Sequence, residues 1–173
     1  MSRVALVLLP LILLSAPALA QENGSPAGGW FEKIKALEGR WVDRGQDPAS
    51  PEDDIAVRYK VTAAGNAVLE TVFVGTPHEM VTLYYVESGA PYLTHYCAMG
   101  NRPVMKAKDS AIENTIDFEC TNAADAPGEA ELHMHSLQMT FVDGGHIQNV
   151  WTSREGSKLG HTVELHFERL GED

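Results

Sequence analysis

Between Ile55 and Leu170 apolar side chains recur at every second position, in short runs separated by turn residues. No feature constrains the fold more. Ile55, Val57, Tyr59 and Val61 alternate with Ala56, Arg58 and Lys60, which gives an extended chain one apolar and one polar face. Runs of the same kind cover 67–74, 80–87, 92–99, 104–108, 112–120, 132–142, 146–154 and 159–170, after a short run at 40–44. Ala64-Gly65-Asn66, Gly75-Thr76-Pro77, Ser88-Gly89-Ala90, Gly100-Asn101, Asp143-Gly144-Gly145 and Glu155-Gly156-Ser157 separate them, and these are residues that turns favour. Sequential strands joined by short turns form an antiparallel meander. About ten of them in one domain predict a closed all-β barrel, with a two-sheet sandwich as the alternative.

The chain before this region follows other rules. Arg3, the apolar run Val4–Leu14 and Ala18-Leu19-Ala20 read as a secretory signal peptide over residues 1–20, cleaved between Ala20 and Gln21. The expected location is periplasmic or secreted, with no membrane anchor after cleavage. Residues 21–29 read as a flexible lead-in, and 30–173 as the barrel domain. Trp30, Phe31, Ile34 and Leu37 fall at helical spacing, so one short amphipathic helix is expected before Gly39 stops it. The formal net charge of −11 disfavours nucleic acid and anionic membranes as partners. An oxidising compartment would permit a disulfide between Cys97 and Cys120; two free thiols are the alternative.

Leu37-Glu38-Gly39-Arg40-Trp41, with Arg169 near the end, resembles the lipocalin-like (calycin) superfamily. That resemblance implies a barrel whose floor is plugged by Trp41, with Arg169 stacked across it. The segments THYCAMGNRPVMK, HMHS and HIQNVWTSREGSKLGHTVELHF resemble an exported bacterial family of lipocalin-like domains, which implies a fold more than an activity. A more remote likeness, His161 followed by Arg169 on the last strand, is to nitrobindin-like haem-binding barrels. It implies His161 as a haem ligand.

Alternation also assigns faces. With apolar side chains inside, His133 and His135 point inward beside Leu137, Met139 and Phe141, and His95 and Cys97 share a face with Leu93 and Met99. Buried imidazoles need partners. One reading pairs them with Tyr84, Tyr85, Tyr96, Asn114 or Glu70 around a polar-ended cavity. A second has His95, His133 and His135 converge on a divalent metal. The expected ligand site is His95, His133, His135, His161, Tyr96, Met139 and Phe141, holding a partly apolar small molecule. His78, His146 and His166 read as surface residues. No G-x-S-x-G elbow or H-E-x-x-H occurs, so no enzyme class is favoured. The remaining reading is a filled barrel acting as a structural or interaction domain. The loop 121–130 reads as a lid over one mouth.

Overall fold

The computed structural model describes residues 26–45, 56–121 and 132–171. The expected signal peptide, most of the lead-in, residues 46–55 and nearly all of the expected lid lie outside those residues.

Among the described residues one α-helix precedes ten strands. The helix is α1 (Pro26–Lys35), and β1 (Gly39–Asp43), β2 (Val57–Thr62), β3 (Ala67–Val72), β4 (Met80–Glu87) and β5 (Ala90–Tyr96) follow. The second half holds β6 (Val104–Asp109), β7 (Thr115–Cys120), β8 (His133–Phe141), β9 (His146–Glu155) and β10 (Lys158–Arg169). Each strand pairs antiparallel with its neighbours in sequence, and β1 pairs with β10, so the sheet closes into a barrel. The period-two expectation is met. The helix begins a turn earlier than the apolar spacing alone predicts.

Within the barrel, Val57, Tyr59, Val68, Tyr84, Leu93, Met105, Phe118, Leu137, Met139, Trp151, Leu165 and Phe167 form one buried cluster. They alternate with outward residues such as Arg58, Lys60, Lys106 and Gln148, as one wet and one dry face require. Phe31, Ile34 and Leu37 bury the helical face against the same cluster. Each such side chain contributes about 1.5–3 kcal/mol on leaving water.

Trp41 and Arg169 hold the closed end. Trp41 is fully buried and its indole N–H donates to the Leu37 carbonyl at 2.9 Å. The Arg169 guanidinium lies 4.2 Å from the Trp41 ring centre and donates to the Ala36 and Glu38 carbonyls, both at 2.6 Å. It thus caps the end of the helical segment with a charge of the favourable sign. Gly39 between them has φ +138°, and a Cβ there would stand 3.0 Å from Arg169 Nη1. Glycine is required by both conformation and space.

The alternation breaks once on β8. Met134 pairs with Ser153 and Ser136 with Thr152, leaving His135 as an extra residue in a β-bulge. Opposed residues in an antiparallel pair share a face. Met134 therefore takes the interior row of Ser153, while His133 pairs with Arg154 on the other row. The bulge takes His133 out of the ladder row of Leu137 and Met139, yet its side chain is buried as expected, at 4% exposure, and His135 is half-buried.

Candidate functional site

The polar groups inside the barrel are aligned by register. Tyr59 on β2 faces Glu70 on β3, Glu70 faces Thr82 on β4, and Thr82 faces His95 on β5. Four neighbouring strands thus place polar side chains along one rung of an apolar interior. All four are buried, as are Tyr84 and Asn149 beside them.

Glu70 is the hub. Its carboxylate accepts from Tyr84 Oη at 2.6 Å, from Thr82 Oγ1 at 3.4 Å and from the Tyr59 hydroxyl. Burial pushes the Glu70 carboxyl up to about 7, and the three hydroxyl donors hold it back only in part. Burial also raises both tyrosines well above their usual range, with the Glu70 charge adding to the effect. The Glu70 carboxyl consequently gains and loses its proton near neutrality, as acid–base groups in enclosed sites do.

His95 responds in the opposite sense. Burial lowers it to about 4, so the ring is neutral at pH 7. Its Nδ1 lies 2.9 Å from Thr82 Oγ1, and its ring centre is 4.8 Å from Trp151. With the Thr82 proton given to Glu70, the hydroxyl accepts from His95 Nδ1–H, leaving Nε2 as an acceptor. That Nε2 is buried without a partner. Asn149 repeats the pattern, since its amide N–H donates to Tyr59 Oη at 3.4 Å while its Oδ1 has no partner. An unsatisfied buried acceptor costs about 1–3 kcal/mol. Two of them in one interior are an open demand for hydrogen-bond donors.

A second cluster lies where β7 ends and β8 begins. One ligand atom each from Cys120, His133 and His135 falls within 4.8 Å of the others. The two imidazoles meet edge to face at 5.7 Å. His135 Nε2 lies 3.3 Å from Arg154 Nη1 and 3.8 Å from Glu119 Oε1, while its Nδ1 is buried without a partner. Burial and the Arg154 charge lower the His135 pKa.

The expected site residues are therefore divided. His95 belongs to the interior rung, and Cys120 stands beside His133 and His135 where His95 had been expected. Met139 is core, and Phe141 stacks on Trp30 of α1 at 5.9 Å, at the helical end. Tyr96 is 48% exposed beneath the Arg102 guanidinium, outside the interior. His161 has an exposed side chain, and its carbonyl accepts from Ser153 Oγ at 3.2 Å. Cys97 and Cys120 are free thiols. Of the proposed imidazole partners, Glu70 and Tyr84 belong to the rung. Tyr85 bonds Thr94 instead, and Asn114 accepts from Lys33. His78, His146 and His166 are exposed as expected.

Tyr59, Thr82 and Asn149 were not singled out from the sequence. The signal was a polar residue in phase with an apolar row, as in Ile147-x-Asn149-x-Trp151. No family model matches the chain, and no curated protein matches it.

Proposed function

We propose that the barrel binds a small, partly apolar molecule whose hydrogen-bond donors meet His95 Nε2 and Asn149 Oδ1. The observation that carries this reading is that pair of buried acceptors without partners, set among Leu, Met, Phe and Trp side chains. Apolar walls with a few fixed polar groups are the usual composition of such sites. A ligand O–H or N–H on each acceptor would remove the desolvation cost that the two atoms otherwise bear. The Trp41–Arg169 stack supports the calycin-like reading, and the apolar leader supports export to the periplasm or beyond.

Native mass spectrometry of gently purified protein tests this. The wild type should retain a non-covalent small molecule, and Asn149→Leu or His95→Leu should lose it while keeping the strand signal in circular dichroism. Bare polypeptide from the wild type would refute the ligand reading. That outcome favours a filled barrel with a structural or interaction role, for which the complete burial of Tyr59, Tyr84, Phe118 and Leu137 speaks.

A further inference from the structure

We propose that Cys120, His133 and His135 form a binding site for a thiophilic metal ion, Zn(II) or Cu(I), separate from the interior rung. The donor set decides the class of ion. One thiolate and two imidazoles suit soft or borderline cations, whereas calcium and magnesium require oxygen ligands.

The bulge assembles the set. Glu119 pairs with Ser136, so Cys120, one residue further along β7, falls beside the extra residue His135. The three donor atoms lie within 4.8 Å of one another without any ion, and small side-chain rotations would bring them to bonding distance. His133 is 4% exposed, and Cys120 and His135 are half-buried, so the group is sheltered on one side and open to an entering ion on the other.

His135 supplies the second observation. Arg154 donates to its Nε2, which leaves the ring proton on Nδ1, buried with nothing to accept it. An ion at Nδ1 would displace that proton to Nε2, where Arg154 would give up its bond and Glu119 Oε1, 3.8 Å away, would close in to accept the proton. A carboxylate on the far nitrogen is the usual support of a metal-bound histidine. The Cys120 proton leaves to solvent as the thiolate forms.

The test uses the reduced full chain titrated with Zn(II) alone, and anaerobically with Cu(I) alone, against a chromophoric chelator. One equivalent should bind. Cys120→Ser and His135→Ala should each weaken binding by more than about 100-fold, beyond the cost of losing an outer partner. Glu119→Gln should weaken it by about 10-fold, and Cys97→Ser and His146→Ala should leave it unchanged. Should the histidine variants fail to fold, Co(II) substitution decides. A thiolate-to-cobalt absorption band is expected in the wild type and should vanish in Cys120→Ser, which preserves side-chain shape. No stoichiometric binding by the wild type, or equal binding by Cys120→Ser, would overturn the site.

Discussion

Glu70 and His95 are separated on their rung by Thr82 alone, and burial displaces them in opposite directions, to about 7 and about 4. A carboxyl that holds its proton more tightly when folded stabilises the fold fully below about 4.5, and that contribution is lost as pH rises through about 7. An imidazole that resists protonation when folded does the reverse. Its contribution is full above about 6.5 and is lost as pH falls through about 4. Each effect is worth about 3 kcal/mol, so in the shared window they largely cancel. Relative to the wild type, Glu70→Gln should gain stability as pH rises from 4.5 to 7. His95→Leu should lose it over the same range. Urea unfolding midpoints across that window measure both, and slopes of the same sign would contradict the assignment.

At the scale of elements, Arg169 of β10 ties the turn after α1 to β1, beside the apolar packing of Phe31, Ile34 and Leu37. Arg169→Leu removes the indole stack and the bonds to the Ala36, Glu38 and Gly144 carbonyls, and should cost about 2–4 kcal/mol. Hydrogen exchange of the α1 amides should accelerate more than that of β4 or β7. Gly39→Ala should cost about 1–3 kcal/mol through its left-handed backbone and the approach to Arg169, read as a lower melting temperature. Protection of α1 left intact in Arg169→Leu would show that its apolar face alone retains it.

The strands were legible in the sequence because period two is a local rule, whereas the Trp41–Arg169 contact was expected only from the family resemblance that Gly39-Arg40-Trp41 carries. The bulge at His135 was not legible. One extra residue shifts the parity of everything before it, and nothing in His133-Met134-His135-Ser136 marks where the insertion falls. Thr82 and Asn149 were hidden for a different reason. A polar residue within an apolar row reads as an imperfection until its cross-strand partners are known, and only register brings Thr82 to both Glu70 and His95. Tyr96 shows the converse, since an aromatic next to an inward histidine belongs to the other face.

For the molecule as a whole, closure joins strands from the two ends of the domain. Trp41 meets Arg169, and Val42 meets Glu168. Such distant partners make folding slow, so refolding should take milliseconds to seconds. Stopped-flow tryptophan fluorescence measures this, and a microsecond phase carrying the full amplitude would contradict it. Closure also affects how the protein can associate. With β1 hydrogen-bonded to β10, the hoop formed by the described residues offers no terminal ladder of backbone groups for a foreign strand to extend. Recognition of another polypeptide by these strands must then be written in side chains, at the rims or on the charged exterior.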